Sequence, residues 1–436
     1  MRNIITILLL LSCVFLGKAQ NEADKWLKAV SAQQGIAIEW QERPTSFAKK
    51  GIKSFVGYYK GDFVASLSVG KSVSGSFNYQ GTSYEISDSK GQLVFYKSEQ
   101  GVCGNQDKEP HKHSAFARPV LAAEEAQPKI ANTQVLRLYR LAMHIPYSTF
   151  SRYYFDSKIE KVKTFWADTE AFLNEMYLRD LGVRFEVVND ERLIIKDATK
   201  ETFASSRNAS YVKDNSTIVI NNLIGENSYD VGISLVYTSS QKEAGIRGLA
   251  HIEGVYQPNT KADAVAVLTK EVIAHEIGHL FGGRHTFGSH KGSAAYDSEK
   301  TELGSGTSVM SYGSPRDFFS LSSIERIRKR LTQVPAKAQD KTFATQAPRI
   351  DRSKLKNHYT IPKGTFFQFY IPATDPDSSV LLYAVNQHDV RNGDETPITQ
   401  YAIYKPTTAN PVTIKTEYHE NSGNVVANSG LAHQTT

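Results

Sequence analysis

The segment 271–285, EVIAHEIGHLFGGRH, constrains the fold more strongly than any other part of the chain. His275 and His279 are four residues apart, so on an α-helix their side chains lie on the same face. Gly282 follows within one turn, and glycine readily adopts the left-handed conformation that ends a helix and reverses the chain. The reversal brings His285 towards the two helical histidines. The sequence therefore predicts a helix, a glycine turn and three imidazoles that meet at one point.

Three neutral imidazoles form a donor set typical of zinc. A structural zinc site is closed by a fourth protein ligand, usually cysteine, whereas a catalytic site leaves its fourth position to water. The chain has no cysteine beyond residue 103, and Glu276 is a residue type that accepts a proton from an activated water. We predict one catalytic Zn²⁺ bound by His275, His279 and His285, with Glu276 as the general base.

The first 19 residues have the composition of an export signal. A positive start, an apolar run at residues 4–16 and small residues at Gly17 and Ala19 are the three parts of such a signal. The apolar run is shorter than the roughly 20 residues that span a bilayer, which disfavours a membrane anchor. Lipid attachment at Cys13 is a second alternative, ranked lower because apolar residues continue beyond it. We expect a secreted protein (periplasmic, surface-bound or extracellular) that starts at Gln20.

The charge pattern excludes several partner classes. The formal net charge is only +6 in 436 residues, and the basic residues are dispersed among acidic ones. A nucleic-acid-binding protein would show a clustered basic patch, so no nucleic acid is expected. Beyond residue 16 the chain contains no apolar run long enough to span a membrane, so no stable membrane span is expected.

Composition and periodicity divide the chain into blocks. We predict a signal peptide at 1–19, a β-rich pro-domain at 20–133, a catalytic domain at 134–336, a linker at 337–349 and a small β-sandwich at 350–436. Helices are predicted at 157–181, 262–281 and 323–331, and strands in VLRLYRLAMHI, VRFEVV, RLIIK and STIVINN of the catalytic block. The fold class is therefore α+β.

The zinc motif and a second segment resemble those of one family. GSGTSVMSYG (residues 304–313) lies about 25 residues after the motif and is similar to the methionine turn of metzincin metalloproteases, with Met310 beneath the metal. The two segments together most resemble bacterial reprolysin-like (adamalysin-type) peptidases, although Thr286 stands where classical adamalysins have Asp. The resemblance implies a twisted mixed sheet with long helices, an active-site helix under the cleft, and a monomeric endopeptidase that acts on protein or peptide substrates.

Cys103 is an odd thiol in a chain that we expect to be exported, because Cys13 belongs to the signal. Family zymogens of this kind are held inactive by a pro-segment cysteine that takes the fourth position on zinc. The resemblance therefore implies that Cys103, flanked by Gly101 and Gly104, is a zymogen switch. A buried, inert cysteine is the alternative.

Two further assignments follow from the resemblance. Tyr312 matches a position where some metzincins place a tyrosine near zinc, so it is a candidate transition-state contact; adamalysins lack that role, which favours packing instead. The strand around Gly248, Leu249 and Ala250 is a candidate edge for an extended substrate, or else an ordinary sheet strand.

Three alternatives remain open. The C-terminal block, similar to immunoglobulin- or cadherin-like modules, contains DPDSS at 375–379, which is compatible with Ca²⁺ but is favoured as a plain turn. A catalytically idle zinc-binding adhesion protein with a protease-like fold is the alternative to an enzyme, and intact Glu276 argues against it. An exopeptidase is the third possibility, distinguished by terminal trimming instead of internal cuts.

Overall fold

The structure is a computed structural model. It describes residues 22–98, 102–104, 135–152, 154–204, 208–236, 246–287, 302, 306–313, 315–333, 339–342, 346, 348–356, 367–377, 381, 383–385, 403–407 and 412–414. The predicted signal peptide, Cys13 and most of the segment between residues 99 and 134 lie outside the described residues.

The N-terminal region consists of a helix, α1 (22–34), followed by six antiparallel strands that pair in sequence order. The strands are β1 (Glu39–Arg43), β2 (Lys53–Tyr59), β3 (Asp62–Val69), β4 (Val73–Tyr79), β5 (Thr82–Ser89) and β6 (Gln92–Lys97). Three of the hairpins turn through a residue and a glycine that both have positive φ: Lys60-Gly61, Gln80-Gly81 and Lys90-Gly91. This is the two-residue turn that matches the twist of antiparallel strands. The predicted β-rich character of this region is confirmed.

The two faces of this N-terminal sheet differ in chemistry. One face packs apolar side chains, including Phe55, Leu67, Phe77 and Ile86, against Trp26, Leu27 and Val30 of α1. Because side chains alternate along a strand, the intervening residues point to the other face. That face is buried but polar, with Ser54, Ser66, Ser68, Ser74, Ser76, Glu85 and Ser87.

The central region contains a second sheet of mixed direction. It contains β7 (Val102–Cys103), β8 (Val135–His144), β9 (Val183–Val187), β10 (Val231–Leu235), β11 (Ile246–Ala250), β12 (Ala264–Ala266) and β13 (Gln339–Thr342). The order is β13-β8-β10-β12-β11-β7, and β9 also pairs with β8. Strands β8, β9, β10 and β12 are parallel to one another, whereas β11 is antiparallel to β12 and β13 is antiparallel to β8. β7, from the N-terminal part of the chain, extends the sheet beyond β11.

The described residues of this region also form five α-helices: α2 (Tyr147–Phe150), α3 (Ile159–Leu181), α4 (Ala209–Ile224), α5 (Lys270–Leu280) and α6 (Leu321–Gln333). α3 lies between the two sheets, and its residues Val162, Phe165, Trp166, Leu173 and Met176 are fully buried. α5 packs on β11 and β12. The molecule is thus α+β, as predicted, and the predicted helices at 157–181 and 323–331 are confirmed.

Three secondary-structure predictions were wrong. RLIIK, predicted as a strand, instead contains the end of a 3-10 helix (Glu191–Leu193), followed by a single isolated bridge from Ile194 to Ile145. STIVINN, predicted as a strand from its β-branched residues, lies within α4. Asn208 caps this helix by accepting the N–H of Tyr211. In addition, Val212, Ser216 and Ile220 are buried at four-residue spacing, as on one face of a helix. The helix predicted from residue 262 begins only at Lys270, since residues 264–266 form β12.

The predicted linker at 337–349 also differs from the structure. Residues 339–342 form β13, which pairs antiparallel with the start of β8. An edge strand needs only backbone hydrogen bonds on one side, so a polar sequence such as Gln-Asp-Lys-Thr can form it without a hydrophobic pattern.

The C-terminal region is described in short segments only. They form three antiparallel pairs: β14 (Arg349–Ile350) with β16 (Ala373–Thr374), β15 (Phe367–Phe369) with β19 (Val412–Ile414), and β17 (Tyr383–Val385) with β18 (Ile403–Thr407). The β-sandwich stays a prediction. Asp375 accepts a hydrogen bond from the N–H of Asp377, as in an ordinary turn. No helix in the described part of the chain has the length and hydrophobicity to cross a membrane.

Candidate metal centre

Helix α5 and the turn after it bring three histidines together. His275 and His279 are on the same buried face of α5, and Gly282, with φ of +98°, reverses the chain after the helix ends. His285 then folds back against both. All three imidazoles are nearly inaccessible to solvent, with His285 the most exposed at 6%.

The imidazoles are oriented so that their Nε2 atoms converge. The Nε2 atom of His275 is 3.1 Å from that of His279 and 3.2 Å from that of His285, and the last two are 3.3 Å apart. The Nδ1 of His275 is 2.7 Å from the carbonyl oxygen of Val309, and that of His279 is 2.7 Å from the carbonyl of Gly283. A carbonyl oxygen can only accept, so each Nδ1 carries the proton and each of these Nε2 atoms presents a lone pair.

This arrangement fits zinc. Tetrahedral Zn–N bonds of about 2.0–2.1 Å place ligand nitrogens about 3.3 Å apart, close to the separations seen here. Burial lowers the pKa of His275 well below its ordinary value, and the neighbouring imidazoles and Arg316 lower it further. His275 is therefore neutral, the form that a metal requires.

Glu276 lies beside the three histidines on α5. Its side chain is fully buried, and its Oε1 has no hydrogen-bond partner among the described residues. Burial raises the pKa of Glu276 to about 8, opposed by the thiol of Cys103 and by Arg316. A buried carboxylate oxygen without a protein partner indicates a position where a small polar molecule binds.

Gly248 of β11 makes room for that carboxylate. A Cβ atom at residue 248 would overlap the Cγ and carboxylate of Glu276. The strand that sequence analysis selected as a substrate edge therefore passes directly over Glu276, with Leu249 and Ala250 buried beyond it. Only glycine permits this close approach.

Cys103 is brought to the same point from the N-terminal part of the chain. Its Sγ is 3.5 Å from Nε2 of His279 and 3.5 Å from Oε2 of Glu276. The four candidate ligand atoms of Cys103 and the three histidines all lie within 4.8 Å of one another. Zn–S bonds of about 2.3 Å and Zn–N bonds of about 2.0–2.1 Å imply an S···N separation of roughly 3.5–3.6 Å. The thiol thus lies beside the three imidazoles, at the separation from His279 that a shared zinc would require.

Backbone contacts hold Cys103 in place. β7 pairs in parallel with β11, so that Cys103 is opposite Gly248. The N–H of Gly104 donates to the carbonyl of Gly248 over 2.8 Å. Residues 102–104 therefore occupy the free edge of β11.

The segment after the histidines completes the site. Met310 is fully buried, and its Sδ lies against Gly278 and Gly283, so the methionine fills the space beneath the imidazoles. The hydroxyl of Tyr312 donates to the carbonyl of Cys103 over 3.0 Å, and its ring is 5.1 Å from that of His285. The structure thus places Tyr312 at the centre, beside the segment that occupies the cleft.

Sequence analysis missed several residues near the centre. A cleft of about 180 Å³ beside the histidines is lined by Arg247, Val272 and Arg316 together with Cys103, His275, Glu276 and Tyr312. Arg316 is buried with φ of +57° and donates to the carbonyls of Tyr312 and Gly313. Glu302, also fully buried, lies next to Thr286 and Ser308. None of these residues belongs to a motif that the sequence analysis recognised.

One family of known proteins matches the part of the chain that contains this site. Residues 159–333, which include α3 to α6 and all three histidines, match the family described as metallo-peptidase family M12B, reprolysin-like. Among solved structures, the chain is similar to metalloproteinase-II from Bacteroides fragilis at 14% identity, covering 64% of this chain and 82% of that chain with a TM-score of 0.33. No curated protein matches the chain.

Proposed function

We propose that this chain is a secreted zinc endopeptidase made in a latent form. The match of residues 159–333 to reprolysin-like metallopeptidases supports the metalloprotease part of the proposal. The observation that carries the proposal is the convergence of three Nε2 atoms within 3.3 Å, beside the carboxylate of Glu276 and the thiol of Cys103. Export is supported by the signal-like composition of residues 1–19.

The residues around the centre have separate tasks in hydrolysis. When bound to the three imidazoles, zinc would polarise the peptide carbonyl and lower the pKa of water. Glu276 takes a proton from the attacking water through its unpartnered Oε1 and passes it to the departing amine. The free edge of β11 holds the substrate in extended form by backbone hydrogen bonds. Tyr312, which donates to the Cys103 carbonyl here, is positioned to donate to a substrate carbonyl once residues 102–104 leave.

Latency follows from the position of Cys103. Its thiol lies beside the three imidazoles, where it would compete with water for a bound zinc, and residues 102–104 take the strand edge that substrate needs. The N-terminal sheet reinforces the block, because Glu85 pairs with Lys270 at the start of α5 and Asn78 donates to Glu271. Hydrolysis therefore requires displacement of Cys103, which we propose follows cleavage between residues 105 and 134.

A time course on residues 20–436 tests this proposal. Intact mass and casein cleavage would be followed together for the native sequence and for Glu276→Ala. We expect the native chain to lose most of residues 20–133 and to gain activity through internal cuts in casein, while Glu276→Ala stays intact and silent. Terminal trimming alone would indicate an exopeptidase. If the native chain stays inactive after a second protease has removed the N-terminal region, the chain is an idle zinc-binding protein and the proposal is wrong.

A further inference from the structure

Glu302 is a buried carboxylate whose hydrogen-bond donors are neutral. One carboxylate oxygen accepts from the N–H groups of Thr307 (2.9 Å) and Ser308 (3.0 Å), with the Thr307 hydroxyl at 3.4 Å. The other accepts from the hydroxyls of Thr286 and Ser308. The side chain has no solvent exposure. Burying a carboxylate is costly unless its lone pairs are satisfied, and this one is satisfied by two separate segments.

Each of those segments leads directly to a candidate metal ligand. Thr286 follows His285 in the chain. Ser308 precedes Val309, whose carbonyl is bonded to Nδ1 of His275 at 2.7 Å. Glu302 also donates its own N–H to the carbonyl of Thr286 over 2.8 Å.

The two segments also touch directly, through the rings of His285 and Phe287 against Tyr312 and through two longer hydrogen bonds. The N–H of Thr286 reaches the carbonyl of Met310 at 3.3 Å, and the hydroxyls of Thr286 and Ser308 are 3.3 Å apart. Both of these hydrogen bonds are longer than the two that the Glu302 carboxylate accepts from the N–H groups of Thr307 and Ser308, and longer than the one that the Glu302 N–H donates to Thr286. Hydrogen bonds weaken with length. The Glu302 carboxylate therefore links the His285 segment to the methionine-containing turn by hydrogen bonds to both.

We propose that Glu302 is a positioning residue for the metal site. It fixes His285 through Thr286, and it fixes His275 through Ser308 and the carbonyl of Val309. Groups that orient metal ligands commonly change metal affinity 10- to 100-fold when removed. The inference rests on the proposed function in that the three histidines bind zinc, but its readout does not require hydrolysis.

Glu170 offers a matched control. It is also a buried glutamate, 1% exposed, and it accepts from the N–H groups of Ser46 and Val187 and from the Ser46 hydroxyl. It lies on α3 and none of its hydrogen bonds leads to a histidine of the centre. Glu170→Gln therefore reproduces the loss of a buried, hydrogen-bonded charge without touching the metal site.

The experiment uses residues 20–436 with Cys103→Ala, so that only the histidines bind the metal. Zn²⁺ affinity would be measured by competition with a chromogenic chelator, and the visible spectrum would be recorded after Co²⁺ loading, for the parent, Glu302→Ala, Glu302→Gln and Glu170→Gln. We expect Glu302→Ala to weaken Zn²⁺ binding by about 10- to 100-fold and to alter the Co²⁺ spectrum. Glu302→Gln should fall between Ala and the parent, since its amide oxygen still accepts from Thr307 and Ser308. Glu170→Gln should lower the melting temperature alone.

Each result decides between the roles. If both Glu302 variants bind Zn²⁺ like the parent with an unchanged Co²⁺ spectrum, Glu302 only stabilises the fold and the inference is wrong. If Glu302→Ala does not fold, the comparison of Glu302→Gln with Glu170→Gln decides. A parent that binds no zinc overturns both proposals, whereas a parent that binds zinc but cleaves nothing after removal of the N-terminal region overturns only the proposed function.

Discussion

The ammonium group of Lys270 lies 2.6 Å from the carboxylate of Glu85, in a buried ion pair that joins the N-terminal sheet to the first residue of α5. Glu85 also accepts the backbone N–H of Lys270 over 2.9 Å, whereas Thr269 at the N-cap gives no side-chain cap. The ammonium has a second partner in Asp168 at 2.7 Å. The N-terminal sheet thus supplies the cap of the helix that carries His275 and His279.

Glu85→Gln should therefore weaken latency. Loss of a hydrogen bond to a buried charged group costs about 1.5–3 kcal/mol, and Lys270 keeps Asp168. We expect casein cleavage to begin several-fold earlier, with the same final rate, because Glu85 leaves with the N-terminal region. Glu42→Gln is the control, since its pair with Lys53 is 3.8 Å long and the Glu42 side chain is 54% exposed. Equal onset in both variants would show that the pair does not maintain latency.

Cys103→Ala should also give earlier activity, for a different reason. The thiol stands 3.5 Å from Nε2 of His279, and alanine has no atom there that could bind zinc. We expect the time to half-maximal casein cleavage to shorten, with Cys103→Ser intermediate because a hydroxyl is a weaker zinc ligand than a thiolate. An unchanged onset in both variants, with Zn²⁺ equally accessible to a chelator, would eliminate the switch.

Gly248→Ala should impair hydrolysis while zinc stays bound. The added Cβ would overlap the Glu276 carboxylate and displace the proposed general base. A general base contributes about 10²- to 10⁴-fold to the rate, and a misplaced base loses much of that contribution. We therefore expect kcat to fall at least about tenfold. Gly232→Ala is the matched control. Gly232 lies in β10 of the same sheet, and a Cβ added there would come within 2.8 Å of the Cβ of Ala262 without approaching Glu276. Equal losses of kcat in the two variants at equal folded fraction would contradict the role of Gly248.

The sequence allowed prediction of those parts of the centre that depend on local spacing. A four-residue interval places His275 and His279 on one helix face, and Gly282 adopts the positive φ that returns His285. The strands β3, β6, β8 and β9 were likewise predictable from continuous apolar or alternating runs. In each case the residues that determine the structure are close together in the chain.

Other features depend on contacts between distant segments and could not be predicted locally. The bond from Thr286 to Glu302 joins positions 16 residues apart, and the ion pair between Lys270 and Glu85 joins positions 185 residues apart. α4 contains a β-branched run that favours a strand, yet Asn208 and a buried helical face outweigh that preference. Propensity is a weak prior when capping and burial oppose it.

The buried side chain of His144 should make the free energy of unfolding of the protein depend on pH. It is fully buried in β8, with Nδ1 3.1 Å from the Ser234 hydroxyl and Nε2 3.1 Å from that of Thr202. Burial lowers the pKa of His144 to about 3, whereas in the unfolded chain it is about 6.5. Between these values the unfolded chain binds a proton that the folded chain does not, so stability is complete above pH 6.5 and is lost as the pH falls towards 3.

Histidine 144 should therefore contribute about 2 kcal/mol to the loss of unfolding free energy between pH 7 and pH 5. The measurement is urea unfolding of residues 20–436 with Glu276→Ala, with and without His144→Gln, at both pH values. Glutamine does not titrate, so the difference in free energy between the two chains should shift by that amount in favour of His144→Gln at pH 5. Taking the difference between chains cancels the titration of the zinc-site histidines, which both chains share. A difference that does not change with pH would mean that His144 is protonated in the folded protein despite its burial.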